Sequence, residues 1–358
     1  MSERATTLGK LGWTDWFEER AAPYIEPQHT VARVVAVDRE QPLLIDETGT
    51  FRAKLPGAYG YHHDAVQQLP CVGDWVCAKK SEPGGLGIIH SVLERRTLLR
   101  RKAVGSARGM QLIAANVDCV FIVQSCHFDF NLKRLERYLV MVADGGAEAR
   151  ILLTKTDLVD ASTLASERAQ LEAARITAPT LTLSRITGEG LDELKQLLQP
   201  GKTYCFVGSS GVGKSTLINA LMGRELLETA GVSASGEGRH TTVRRELIVL
   251  ENGALVIDNP GMREFGILPT ESGIDAGFVD ITALAANCRF RDCNHTNEPG
   301  CSVVRALEAR EIDAEHYANF VKLQKESAQA QLTAVEKHKK DRVFGRMMKS
   351  YNKNRDRE

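Results

Sequence analysis

The stretch GSSGVGKST, residues 208–216, places Gly208, Gly213, Lys214 and Ser215 in the spacing G-x-x-x-x-G-K-[ST]. Each residue type there has a chemical reason. Glycines let the backbone curl until its N–H groups converge on the oxygens of a phosphate chain. Lys214 sets a cation against the outer phosphates, and the Ser215 hydroxyl is a ligand for Mg²⁺. Ser209, Ser210, Gly211, Val212 and Thr216 complete the cradle. The apolar run TYCFVG precedes the loop, and KSTLINAL follows it with helical spacing. A strand therefore delivers the chain, and a helix begins near Lys214 with its positive end toward the anion.

Asp258 ends a second apolar run in VIDNPG, residues 256–261. Its carboxylate can hold Mg²⁺ through water, and the Gly261 N–H can meet a γ-phosphate. Between these segments lies GEGRHTTVRREL, where Thr241 and Thr242 are both candidates to complete the Mg²⁺ shell, Thr242 being preferred. Upstream, TKTD (154–157) resembles the guanine-reading motif N-K-x-D. Asp157 would accept guanine N1–H and the exocyclic amine, a donor pair that adenine lacks. The stem of Lys155 would cover the base, and Thr154 stands where that motif has Asn. In LSRITGEG, Ser184 opens a turn of the kind that presents a backbone N–H to guanine O6, with Arg185 where Ala is usual. The base-reading segments thus precede the phosphate segments, the reverse of the ordinary order. Chain ends of compact domains often lie close together, so joining them and opening another loop keeps the packing. QPGKT (199–203) would be the join.

NCRFRDCNHTNEPGC holds Cys288, Cys293, His295 and Cys301 in the spacing C-x₄-C-x-H-x₅-C. Three thiolates and one imidazole suit a closed, tetrahedral and structural Zn²⁺ site. The remaining cysteines, at 71, 77, 119, 126 and 205, are scattered through strand-like runs and read as packing residues.

These residues need elements to hold them. Residues 1–28 show no sustained periodicity and read as a flexible arm. From 29 to 96 short β-rich runs alternate with Gly, Pro and Asp turns, which suggests a five-stranded OB-type barrel, a fold that often binds nucleic acid. Residues 97–111 form a basic linker. Strand and helix patterns alternate through 112–268, as an α/β nucleotide domain requires. Residues 269–358 carry the zinc loop and a helical tail.

The formal net charge of zero hides two basic runs: residues 94–108 hold six basic and one acidic residue, and 337–358 hold nine and three. Such runs favour phosphate-backbone contacts. The N-terminus is charged, with no signal-peptide core, and no apolar run is long enough for a membrane span. A cytoplasmic, monomeric protein is the expectation, with reduced cysteines.

The order of the motifs, with VGDWV, DFNLKRLERYLV, GRHTT and DNPGMREFG beside them, resembles the circularly permuted RsgA (YjeQ) GTPases over about residues 29–325. The resemblance implies an N-terminal OB-type β-barrel, a central circularly permuted α/β P-loop GTPase domain, and a C-terminal zinc-binding domain with a helical tail. It implies GTP and GDP as ligands with Mg²⁺, one structural Zn²⁺ at the Cys and His positions, and action on the 30S ribosomal subunit and its 16S rRNA during late maturation. Two departures are Thr154 for Asn and Asn259 for Ser or Thr. Many GTPases orient the attacking water with a glutamine after the D-x-x-G glycine. Met262 stands there and cannot do so, which makes His240 the candidate catalytic residue. A rival reading keeps the nucleotide as a structural ligand of an RNA-binding module, and subunit-stimulated turnover separates the two.

Overall fold

The computed structural model describes residues 7–38, 41–56, 69–81, 85–102, 110–223, 245–259 and 270–328. Met1–Ile267 and Leu268–Glu358 form separate compact units. In the first, strands β1 (His29–Asp38), β2 (Gln41–Asp46), β3 (Gly49–Lys54), β4 (Trp75–Lys79) and β5 (Gly87–Val92) make the barrel. The order β1-β2-β3-β5-β4 closes when β1 pairs with β4, which is the OB arrangement. Alternate residues of β2 point inward, and Ala32, Val34, Leu44, Ala53, Val76, Ala78 and Ile89 fill the barrel. Small alanines among branched residues suit a lumen this narrow.

Residues 7–28 are ordered against the barrel although the sequence shows no periodic stripe there. A short helix α1 (Asp15–Ala21) buries Phe17 and Ala21. Trp13 packs edge-on against Trp75 at 4.7 Å between ring centroids and stacks on Phe17 at 5.6 Å. A few large rings carry this packing instead of a repeated apolar position. The two described ends of the basic linker are strands: β6 (Leu98–Lys102) and β7 (Met110–Ala115) pair as an antiparallel ribbon.

The nucleotide domain continues with β8 (Cys119–Ser125), β9 (Glu148–Thr154), β10 (Thr180–Leu183), β11 (Thr203–Val207), β12 (Glu246–Val249) and β13 (Leu255–Asp258). Its strand order is β10-β9-β8-β11-β13-β12, all parallel except β12. Helices α2 (Leu132–Asp144), α3 (Ala161–Ala173), α4 (Leu191–Leu197) and α5 (Lys214–Met222) are the connections. Asn131 and Asp160 cap α2 and α3 by accepting from backbone amides of their first turns. The β8 and β11 strands are buried along their whole length, as central parallel strands must be.

The two sheets are one. Ala36 of β1 pairs with Glu246 of β12, so barrel and nucleotide domain share an 11-stranded sheet. Arg33 reinforces the seam from within. It is 1% exposed, and its guanidinium donates to Gly73 O, Leu11 O, Asn116 O and the Thr203 hydroxyl. Burial lowers its pKa to about 10 despite the carboxylates of Asp118 and Asp74.

The second unit contains helices α6 (Glu271–Gly277), α7 (Val279–Ala285) and α8 (Ser302–Glu308), with residues 314–328 also helical. Phe278 and Phe320 meet edge to face, with ring centroids 5.4 Å apart and planes at 60°, and His316 lies against Phe278.

Candidate nucleotide site and metal centre

Because β8, β9, β10, β11 and β13 are parallel, their carboxyl ends open on one edge of the sheet. That edge is where open α/β sheets bind ligands. β11 runs into the loop 208–213, β13 ends on Asp258 and β9 ends on Thr154. Gly208 has φ +147°, and a Cβ there would meet Val123 O at 2.3 Å, so the loop can lie against β8 only with glycine. Gly213 has φ +102° and turns the chain into α5.

Lys214 is buried at the first position of that helix. Its ammonium donates to Gly208 O at 2.7 Å and Ser209 O at 2.6 Å, which folds it back over the loop. Burial lowers its pKa to about 8, against the pull of Asp258 and Asp129. Burial likewise raises Asp258 to about 6, against the Lys214 charge. The two are desolvated charges of opposite sign, one opening α5 and the other ending β13.

The candidate base-reading residues are joined to this loop. Thr154 is 4% exposed, and its hydroxyl lies 2.7 Å from Val212 O and 3.1 Å from Gln124 O. The substitution of Asn by Thr therefore preserves a donor to the phosphate loop. The Ser184 hydroxyl donates to Asp157 Oδ1 at 2.6 Å and fixes that carboxylate. The Ser184 amide itself donates to Glu189 O, and Thr156 donates to the Glu189 carboxylate, so the two base-reading loops are stitched together. Lys155 has φ +61°, in the left-handed region, and its ammonium lies over the Phe128 ring at 4.6 Å.

One neighbour belongs to none of the nucleotide motifs, although it opens the segment DFNLKRLERYLV. Asp129, on the loop after β8, is hydrogen-bonded to Ser209, lies 2.7 Å from Arg134, and acts on Lys214 and Lys155 through its charge. Burial still raises its carboxyl above the ordinary value. Ser210, Gly211, Ser215 and Thr216 sit on the loop and the first turn of α5. His240, Thr241, Thr242, Gly261 and Met262 lie outside the described residues.

In the second unit the side chains of Cys288, Cys293, His295 and Cys301 converge, with all ligand atoms within 4.8 Å of one another. Cys288 Sγ and Cys301 Sγ are 3.8 Å apart, and His295 Nδ1 is 3.6 and 3.7 Å from them. A tetrahedron with Zn–S bonds of about 2.3 Å has S–S edges of about 3.8 Å, so these residues fit the ion. Burial lowers the His295 pKa, which favours the neutral imidazole that ligation needs. Burial pushes the Cys288 thiol up, but the Ser302 and Val303 amides outweigh it and bring it below its ordinary value. The Glu298 carboxylate accepts from the amides of Asn294, Thr296 and Asn297 and shapes the loop between ligands. The Tyr317 hydroxyl donates to His295 O at 2.6 Å. The other five cysteines are all buried.

A family model described as RsgA GTPase matches residues 92–268. Small ribosomal subunit biogenesis GTPase RsgA of Opitutus terrae is 41% identical over 336 residues, 90% of this chain and 90% of that protein. The chain belongs to the RsgA GTPase family. Its RsgA 2 relative in Listeria monocytogenes is 42% identical, again with 90% of each chain covered. YjeQ from Thermotoga maritima superimposes with a TM-score of 0.62 at 29% identity, over 84% of this chain and 99% of that one. YloQ, described as a circularly permuted GTPase, gives 0.59 at 25% identity, over 85% and 96%. A second family model, described as 50S ribosome-binding GTPase, matches residues 203–341. That match begins at β11, the strand that delivers the phosphate loop. This RsgA-family chain is a GTP hydrolase with its domain circularly permuted. No helix among the described residues is long and apolar enough to cross a membrane.

Proposed function

We propose that the protein acts in late maturation of the small ribosomal subunit. It binds the 30S subunit with GTP, hydrolyses GTP to GDP and phosphate faster there than alone, and leaves when the γ-phosphate is gone. The observation that carries this reading is the hydrogen bond from Thr154 to Val212 O, with Asp157 fixed by Ser184 beside it. A guanine selector and a phosphate cradle are built as one piece, which a purely RNA-binding module does not need. The relatives from Opitutus terrae and Listeria monocytogenes are small ribosomal subunit biogenesis GTPases.

In this reading Asp157 accepts the two guanine donors, and the Lys155 stem covers the base. Since the Ser184 amide is engaged by Glu189, the N–H for guanine O6 falls to the turn residues after it, Arg185 and Ile186. Amides of residues 208–216 cradle the phosphates, and Lys214 exchanges its loop carbonyls for phosphate oxygens. Ser215 and Thr242, with Asp258 through water, would hold Mg²⁺, which when bound neutralises charge on the β- and γ-phosphate oxygens. His240 orients the attacking water in place of the side chain that Met262 cannot supply. Cys288, Cys293, His295 and Cys301 hold one Zn²⁺ that closes the loop of the second unit. The barrel, the basic run 94–108 and the tail 337–358 meet 16S rRNA. The protein works in the cytoplasm as a monomer.

The test is GTP hydrolysis with and without purified 30S subunits. Turnover alone should be slow, on the order of 10⁻³ s⁻¹ or below. The subunits should raise it at least tenfold. Equal rates with and without them would overturn the reading.

A further inference from the structure

The loop between β8 and α2, residues 126–131, belongs to none of the five nucleotide motifs, yet it faces them. It is locked at both ends. The Cys126 amide donates to Thr154 O at 3.0 Å, joining the loop to the strand that ends in the base-reading segment. The buried Gln124 side chain accepts from the Asn131 amide at 2.9 Å and donates to Asn131 O at 3.2 Å. Asn131 in turn caps α2. Between these clamps the Asp129 amide donates to Ser125 O.

What the clamped loop presents is Phe128 and Asp129. Phe128 is 56% exposed, so the core gives no reason for its ring. A single exposed aromatic is ordinary. This one is distinguished by its contact: the Lys155 ammonium sits 4.6 Å from the ring centroid, and His127 meets the same ring at 5.3 Å, near perpendicular. Lys155 needs such a hold. Its backbone is in the left-handed region, where a side chain is not placed by ordinary helix or strand packing. Asp129 and Asp157 add their charges on the ammonium. A lysine anchored at its tip lies with its stem extended, ready to cover a flat base.

We propose that Phe128 is a positioning residue for nucleotide binding: its ring holds the Lys155 ammonium so that the lysine stem forms one wall of the base pocket. The inference rests on the assignment of TKTD as the guanine-reading segment. It predicts an effect on affinity and not on the chemical step, because the loop approaches the base side through Lys155 and supplies no group to the γ-phosphate.

The experiment measures GDP and GTP dissociation constants with fluorescent nucleotides, together with kcat at saturating GTP. The variants are Phe128→Ala, Phe128→Leu and Phe128→Tyr, with Asp157→Asn as a control. Loss of a partly desolvated cation–π contact corresponds to about a three- to tenfold weaker affinity. Phe128→Ala and Phe128→Leu should weaken GDP and GTP alike by that factor, with kcat changed less than twofold. Phe128→Tyr should restore affinity, since it keeps the π-face. Unchanged affinity in the Ala and Leu variants would overturn the inference, as would full rescue by Leu, which would make the ring mere bulk. A fall in kcat at unchanged affinity would overturn it too. Asp157→Asn distinguishes the two failures: if it leaves the preference for guanine over xanthine intact, the base-site assignment itself is wrong. Thermal unfolding checks that each variant is folded, which the exposure of Phe128 favours.

Discussion

Nucleotide affinity should be confined to a narrow pH window by two buried charges. Lys214 must carry its proton to meet phosphate oxygens, and burial lowers its pKa to about 8. Asp258 must be ionised to hold Mg²⁺ through water, and burial raises its pKa to about 6. The signs oppose one another. A lowered lysine loses its charge as pH rises through its pKa, and a raised carboxyl loses its charge as pH falls through its own. The free protein is therefore competent between about pH 6 and about pH 8. With a lysine pKa of about 8, the charged fraction falls from about nine-tenths at pH 7 to about one-tenth at pH 9, a tenfold loss or about 1.4 kcal/mol. Bound phosphates restore the proton, so binding at pH 8 takes up about half a proton. Calorimetric titration of GDP with Mg²⁺ at several pH values, in two buffers of different ionisation heat, reads both quantities. Guanine N1–H also titrates on the alkaline side, so the Lys214→Ala variant supplies the slope that belongs to the base. Identical slopes in the two proteins, with no proton uptake at pH 8, would refute the argument.

Thr154→Val keeps the shape but orphans Val212 O, at a cost of about 1–3 kcal/mol that should appear as weaker GDP affinity, while Thr154→Asn should stay close to the parent. Arg33→Lys keeps the charge but cannot serve all four acceptors, so urea unfolding of the first unit should lose about 2–4 kcal/mol. Metal analysis should find one zinc per chain, and Cys301→Ser should reduce it well below one; a serine still caps α8, so the accompanying loss of helicity in the second unit reports the lost metal and not the lost cap.

What was legible in the sequence was what lies close along it. The phosphate loop and the Cys288–Cys301 cluster are each contiguous, and the chemistry such segments serve fixes both residue type and spacing. The barrel was legible from turn residues between short β runs. Features built from distant contacts were not. Arg33 reads as an ordinary strand residue until its partners at 11, 73, 116 and 203 arrive in space. Thr154 reads as a weakened motif until its hydroxyl meets a carbonyl 58 residues away. Asp129 and Phe128 carry no spacing signal, because their partners belong to two other segments. Residues 7–28 looked loose because a tryptophan cluster, and not a stripe, attaches them.

The permutation itself is explained by the sheet. Each strand that bears a motif is held by its lateral neighbours: β11 by β8 and β13, β9 by β8 and β10. Those bonds do not depend on which strand the chain visits first. The join and the new entry are held in the same way. Gly201, with φ +73°, donates to Gly253 O across the β12–β13 turn, and the Leu255 amide donates to Lys202 O. Where the chain enters β8, the Asp118 amide donates to Thr203 O, and the Asp118 carboxylate accepts from the Thr203 amide. Re-cutting the chain therefore leaves the site's geometry intact and changes only its covalent neighbours. Along the chain, the strand that ends on Asp258 is now followed by the second unit, and the entry to β8 follows the β6–β7 ribbon that comes after the barrel. β12 stands between the strand of Asp258 and the barrel strand β1, bonded to both. Backbone hydrogen bonds thus join the barrel to the sheet of the nucleotide site, with Arg33 as the only buried guanidinium bridging the same seam among the described residues.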